Sequence, residues 1–461
     1  MAFISFNLVV GFGPGVCKHV QKSFRALPFC SGAAIKKKES QLLSLWQVFR
    51  HLWQIFGLIV LLFCTGEPGL QAQEFNLFDR TVQVHGFASQ GFVYTGANNW
   101  LTMNSSAGSG AFTDFGINVS TNVTDNLRVG AQLYDRNLGQ LGQYHPSLDW
   151  AVVDYRFRSW LGFRGGKVKT ILGLYNDTQG LDFLHPFALL PQSVYPIDLR
   201  DATIAHLGGD VYGRLIFNPH VGDLSYTVYA GHRNDSIYSG YPYLLTQFGT
   251  HLKSYGGLQY GLDLRWNTPL KGLLIGASRM NEDITGKGTA ANLFGPGGGT
   301  VSYSEASRAD WTNQFYGEYI VGKLRIDSEY RRYFRDEIIF SGTSENVTDV
   351  RGWYVSGTCR VIKRLESGSY YSRYSITSVL GGPVLAFGSS QTDTSLPQNH
   401  IYDKVISARI DLNKLWDVKI EGHFMNGYGD STYPDGFYPQ VNPQGFKPNT
   451  NALVIKTGFN F

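Results

Sequence analysis

Sulfur is scarce in this chain of 461 residues, which holds four cysteines and four methionines. Cys17, Cys30 and Cys64 fall within the first 72 residues, so beyond them only Cys359 remains and an intramolecular disulfide framework is excluded there. Charge is scarce too. Asp, Glu, Lys and Arg make up 16% of the chain, against about a quarter in soluble domains, so much of the surface need not face water. Cationic excess is also missing, despite a formal net charge of +4. Residues 1–72 hold seven Lys/Arg and two acids, which leaves 40 − 7 = 33 bases against 36 − 2 = 34 acids. Phosphate backbones require clustered Lys and Arg, so nucleic acid is excluded as a partner. Beyond Gln73 no 18-residue apolar run occurs, and no transmembrane helix is written there.

What is abundant is aromatic and small. Phe, Trp and Tyr reach 14% and glycine numbers 54, the vocabulary of strands joined by many turns. The segment KKKESQLLSLWQVFRHLWQIFGLIVLLFCTGEPGLQA, from Lys36 to Ala72, has a basic region, an apolar core at Ile55–Phe63 and a polar exit. That is the grammar of a cleaved export signal, and the core is short for a membrane-spanning helix. Residues 1–72 are therefore expected to be a leader cleaved near Ala72. The stretch before Lys36 exceeds what export requires, so a start further in, near Leu42 or Val48, fits the same grammar. Phe63 is too bulky to precede a lipidated Cys64.

From Gln73 onward the chain alternates with period two. In LSYTVYAG, Leu224, Tyr226, Val228 and Ala230 share a face; in GLQYGLDLRW, Leu258, Tyr260, Leu262, Leu264 and Trp266 oppose Gln259, Asp263 and Arg265. KLRIDSEY and WDVKIEGHF behave alike, setting Arg325, Asp327, Lys419 and Glu421 against apolar faces. Sixteen such segments are expected, from 81–95 to 451–461. The connections alternate between short (NVTDN, RSW, NPHVG, VGK, NKL) and long, polar ones (233–255, 282–310, 377–401 and 427–450). The expectation is all-β: a transmembrane antiparallel up-and-down β-barrel of about 16 strands with short periplasmic turns and long extracellular loops, occupying residues 73–461. Closure follows because hydrocarbon cannot satisfy an open sheet edge. A soluble propeller or sandwich would explain the alternation, but less well the charge on each opposite face, the turn asymmetry and the leader.

Two stretches carry a family resemblance. LVIKTGFNF, Leu453–Phe461, resembles the closing strand of a Gram-negative outer-membrane barrel, whose last aromatic is an assembly signal. That resemblance implies the barrel-assembly machinery as a partner, read through Phe459 and Phe461. LDWAVVDYRFRSWLGFRGGKVKTILGLYND (Leu148–Asp177), with LLPQSVYP, LRD and VQVHGFASQGF, is similar to porins related to the phosphate-selective group. It implies a homotrimer of sixteen-stranded barrels in outer-membrane lipid, with the third loop, 170–202, folded into the pore. The expected function is passive diffusion of small hydrophilic solutes or ions. Alternatives are a channel specific for anions or sugars, and a surface receptor, adhesin or barrel hydrolase.

Candidate constriction residues are Arg128, Asp154, Arg156, Arg164, Asp177, Asp182 and Arg200, with strand bases Arg128, Arg156 and Arg164 facing loop acids Asp177 and Asp182. Opposed charges would orient water and disfavour apolar solutes; wall-bracing ion pairs are the other reading. The mixed signs of these candidates give no basic ladder for phosphate. Tyr155, Trp160, Trp266, Trp353 and Trp416 read as aromatics of the membrane interface. Gly165–Gly166 marks either a close approach or an irregularity in pairing. No histidine pair has metal-ligand spacing and no catalytic constellation stands out, so neither metal, cofactor nor enzyme activity is expected.

Overall fold

A computed structural model describes residues 73–77, 80–292, 299–381, 389–429 and 435–461; the expected leader lies outside them. The strands are β1 (Gln73–Leu77), β2 (Arg80–Thr95), β3 (Ser109–Thr124), β4 (Leu127–Leu138), β5 (Ser147–Arg158), β6 (Leu161–Lys169), β7 (Ala205–Ile216), β8 (Asp223–Asn234) and β9 (His251–Asn267). They continue as β10 (Leu273–Ala291), β11 (Thr300–Val321), β12 (Leu324–Ile339), β13 (Ser344–Ile362), β14 (Leu365–Gly381), β15 (Ser389–Gln391), β16 (His400–Asp411), β17 (Trp416–Asn426) and β18 (Asn449–Asn460). Each pairs antiparallel with its neighbour, and β18 closes onto β2, with Leu453 opposite Tyr94 and Phe459 opposite Ala88. Sixteen strands thus form a closed up-and-down barrel. The short β1 and β15 are appendages on β2 and β14, where β14 pairs directly with β16.

Every expected segment corresponds to one barrel strand. The difference lies at the long ends. Much of the stretch read as a loop over 282–310 is ladder: Thr285–Ala291 pair with Ala306–Thr300, above a register shift after Asn281. Gly, Thr, Ser and Lys fill this part, so apolar alternation fades although pairing continues. Ahead of the first expected segment, β1 folds back on β2.

The burial pattern is inverted relative to a soluble protein. Along β12, Asp327, Glu329, Arg331, Tyr333, Arg335 and Glu337 are buried, while Leu324, Ile326 and Tyr330 are exposed. The same holds around the ring. Val228, Leu262, Phe315, Val355, Ile406 and Ile420 stand outward and exposed, while Asp263, Gln259, Lys419, Glu421 and Lys456 point inward and are buried. An exposed apolar surface of this extent costs free energy in water at about 25 cal/mol per Å² and costs nothing in hydrocarbon. The exterior is built for lipid, the interior for polar contact.

At the long-loop end a second, apolar core forms inside the barrel. Trp100, Leu101 and Met103 from the first loop, Leu138 and Leu141, Ala188 and Leu189 from the third loop, and Phe437 from the last loop pack together and are buried. Burying a leucine such as Leu189 contributes roughly 2 kcal/mol, enough to hold loops that lack sheet pairing of their own.

Candidate functional site: the lumen and its third loop

Between β6 and β7 the chain leaves the wall and lies against lumen-facing side chains of distant strands. Its root is fixed at Gly173. The backbone N–H donates to Ser278 Oγ at 3.0 Å, and the carbonyl accepts from Arg265 at 2.9 Å. This residue has φ +70°, and a Cβ would collide with Gln314 and Glu329, so only glycine suits the position. The Leu174 N–H reaches Glu329 at 3.0 Å, and the Tyr195 hydroxyl donates to the same carboxylate at 2.7 Å.

The wall then reads the loop's backbone group by group. Arg409 donates to the carbonyls of Phe183 and His185 at 2.9 and 3.0 Å. Glu421 accepts from the N–H groups of Ala188 and Leu189 at 2.8 and 3.2 Å. Arg331 donates to the Val194 carbonyl at 2.9 Å and Arg136 to the Ile197 carbonyl at 2.6 Å. Gly352 of β13 has no side chain where the Ser193 carbonyl rests against it. Buried charges are tolerated when paired and hydrogen-bonded, and here the loop's own peptide groups supply much of that pairing.

At the centre Asp182 bridges Lys419 and Lys456, each at 3.1 Å, and Lys456 also meets Asp114 at 3.1 Å. Burial by itself would raise the Asp182 carboxyl; the ammonium groups of Lys419 and then Lys456 outweigh it and hold it at about 2. His185 lacks such an ion pair. Burial pushes it down to about 4, outweighing the Thr178 carbonyl 2.9 Å from its Nε2, which favours the protonated ring. Further on, buried Asp198 accepts from the Tyr438 hydroxyl at 2.7 Å and the Gly436 N–H at 3.0 Å, tying the third loop to the last.

The pairing expected from sequence differs from this arrangement. Asp182 meets Lys419 and Lys456, not Arg128, Arg156 or Arg164. Arg128 sits exposed near the short-turn end and donates to Ser120 at 3.0 Å. Asp154 accepts from the Tyr212 hydroxyl at 2.6 Å, with exposed Arg156 beside the same hydroxyl. Arg164 pairs with Asp210 at 2.8 Å and lies over the Tyr212 ring. These sit on wall strands below the loop because neighbouring strands offered nearer partners. Asp177 is half-buried in the loop within electrostatic range of Lys169 and Arg265. Arg200 is buried, pairs with Asp149 at 2.7 Å and stacks 4.0 Å from the Tyr134 ring, fixing the loop's return to the wall.

Residues not singled out from sequence line the spaces beside the loop. One cavity, about 30 Å³, is bounded by Arg233, Arg331, Arg335, Glu282 and Tyr255 against loop residues Val194 and Leu199. A second of the same size joins Arg331 and Tyr333 to Trp100, Tyr374 and Asp403. Each has room for a water or two. Continuing the alternation of β12 past Glu329 would have found Arg331 and Arg335. Arg335 is matched by Asp310 and Glu337, and Arg233 by Asp235 and Glu282, so carboxylates outnumber the bases they face.

The aromatics expected at the membrane interface lie on the outer face of the barrel. Tyr155, Trp160 and Trp266 are exposed near short-turn ends, with Trp266 Nε1 donating to the Val221 carbonyl. Trp416 packs edge-on against Phe459, and half-buried Trp353 edge-on against Tyr371. Gly166, at φ +123°, marks an irregular backbone beside Ala151, whereas nothing approaches Gly165. Among the described residues no His, Cys, Asp and Glu group is arranged to hold a metal.

No protein-family model and no curated protein matches the sequence. Solved structures do match the barrel. OmpT of Vibrio cholerae, expressed in the outer membrane, is 12% identical with a TM-score of 0.52, covering 84% of this chain and 100% of that one. The same protein folded in vitro gives 0.51 at 12% identity over 85% and 100%. An anion-selective porin from Comamonas acidovorans gives 0.50 at 10% identity over 83% and 100%. The shared feature is the fold. This is a porin-like sixteen-stranded barrel. The finer resemblance to phosphate-selective porins rests on the sequence segments alone.

Proposed function

We propose that this chain is a passive channel of the bacterial outer membrane for small hydrophilic solutes or ions, exported by a leader cleaved near Ala72. One observation carries the reading: charge and hydrogen-bonding groups face the lumen while the exterior is apolar, so water and hydrocarbon are the two solvents. The third loop then sets the bore. Permeation runs beside residues 192–203, past Arg233, Arg331 and Arg335, whose neighbouring carboxylates leave a mild field rather than a strong anion filter. The candidates Arg164, Asp177 and Arg200 brace that loop and wall, and Arg128, Asp154 and Arg156 line the approach from the short-turn side.

The third loop, held across the lumen by Arg331, Arg409 and Glu421, favours a narrow, solute-selective channel over a wide sieve. His423 supports bracing rather than catalysis, because Asp403 and Glu421 flank its two ring nitrogens at 2.7 and 3.4 Å and bury it. Assembly as a homotrimer, with Phe459 and Phe461 read by the barrel-assembly machinery, belongs to the same proposal. Planar-bilayer recordings of purified protein test it. Ohmic steps of low conductance, arriving in threes, are expected. A silent bilayer, or hydrolysis of added lipid or peptide, would overturn the reading.

A further inference from the structure

The exterior of the barrel carries a row of arginines that the lumen does not use. In the register of the sheet, Arg279 lies opposite Asn313, Asn313 opposite Arg332, and Arg332 opposite Arg351. These positions alternate with the buried set of β10 to β13 and therefore point away from the lumen. Exposed Arg373 lies opposite Trp353 on the adjoining strand. Like charges directly opposite on a sheet face destabilise it. The acid in the row is Asp349, shared by Arg332 at 2.9 Å and Arg351 at 3.0 Å. The next acids up the exterior, Asp336 and Glu345, are engaged with Arg308.

The height of the row is informative. From Leu324 at the short-turn end to Arg332, the strand climbs roughly 20 Å, at ~3.4 Å per residue and ~40° tilt. Apolar Ile326, Tyr330, Phe315 and Val355 occupy the exterior below. Trp311 stacks on Phe334 at this level, with the Arg279 and Arg332 guanidinium groups 4.6 and 5.3 Å from its ring. Aromatics mark the edge of the hydrocarbon in such barrels, and a belt of about 25 Å counted from Leu324 ends roughly 5 Å above the row, a gap that the long arginine stems span to reach the headgroups on the long-loop side. Their planar forks suit phosphate oxygens.

We propose that this row binds the phosphate groups of an anionic lipid headgroup in the outer leaflet, an assignment that rests on the outer-membrane reading above. The probe is lipid A, which carries two phosphates on a sugar headgroup, titrated into detergent-purified protein and followed by native mass spectrometry. Phosphatidylcholine and inorganic phosphate serve as controls, and conductance of each preparation is recorded separately, so that failure of the channel and failure of this site come apart. The Arg332→Gln/Arg351→Gln protein is expected to bind lipid A at least ten-fold more weakly with conductance unchanged. If that protein does not fold, Arg279→Gln is expected to show the same direction of change. Undiminished lipid A binding by the folded variant overturns the proposal. So does equal retention of phosphatidylcholine, full competition by millimolar inorganic phosphate, or a change in oligomeric state with lipid binding intact, which would make the row a contact between copies.

Discussion

At the scale of single residues the lumen is governed by a few buried ionisable groups on the third loop. Asp182 bridges two lysines, and removing one partner of a buried ion pair costs about 3 kcal/mol because the other charge is left stranded. Asp182→Asn should lower the thermal stability of the purified barrel and raise its single-channel conductance, as the loop loses its central anchor. A variant that melts earlier yet conducts as before would limit Asp182 to bracing. His185 makes the same loop sensitive to acid. Its folded value of about 4 lies below the ordinary 6.5, so its contribution is complete above pH 6.5 and is lost as pH falls towards 4. That difference corresponds to about 3 kcal/mol. Asp182, held at about 2 against an ordinary 3.8, adds a loss only below pH 4. Conductance recorded from pH 7 to pH 4 should therefore become noisier or larger through the upper window, and His185→Phe should flatten that response. A flat wild-type profile over the same range would sink this account.

Strands and loops were unequally legible at the scale of elements. Alternation gave all sixteen barrel strands, because a sheet between two solvents must alternate, and the short connections were plain from their turn residues. β10 and β11 ran further than expected because their upper parts carry glycine, threonine and charge, which pair well but do not alternate in polarity. The third loop's path was outside what spacing could show. Its partners, such as Glu421 for Ala188 and Lys456 for Asp182, lie hundreds of residues away and are fixed by closure of the barrel. Arg331 and Arg335, by contrast, were within reach of the pattern that exposed Asp327 and Glu329. Gly352 shows how wall and loop interlock, since the Ser193 carbonyl occupies the space a side chain would fill. Gly352→Val should push the loop tip off β13. The expected cost is about 1–3 kcal/mol, typical of overpacking, together with a changed reversal potential across a salt gradient. Unchanged ion selectivity would place the permeation path elsewhere than beside residues 192–196.

For the whole molecule, one physical statement links composition, fold and function: low charge, abundant aromatics and missing apolar helices all follow if the outside of a closed sheet dissolves in lipid. The inverted burial makes this testable without reference to transport. Val228 is outward and 54% exposed, on a strand whose inward neighbours are Tyr229 and Arg233. In water Val228→Arg would be a neutral surface change, within about 0.5 kcal/mol. In a bilayer it should cost about 2–4 kcal/mol near the midplane. The substitution Thr227→Ser, on the lumen face of the same strand at a half-buried position, stays polar in either solvent and serves as the internal control. Unfolding both variants with denaturant from phospholipid vesicles, and comparing each with the parent chain, separates the two cases. A large loss for Val228→Arg beside a small one for Thr227→Ser is the outcome expected of a barrel solvated by hydrocarbon. Equal tolerance of both would mean that the apolar exterior is covered by protein, and with it would go the argument that this lumen connects two aqueous compartments.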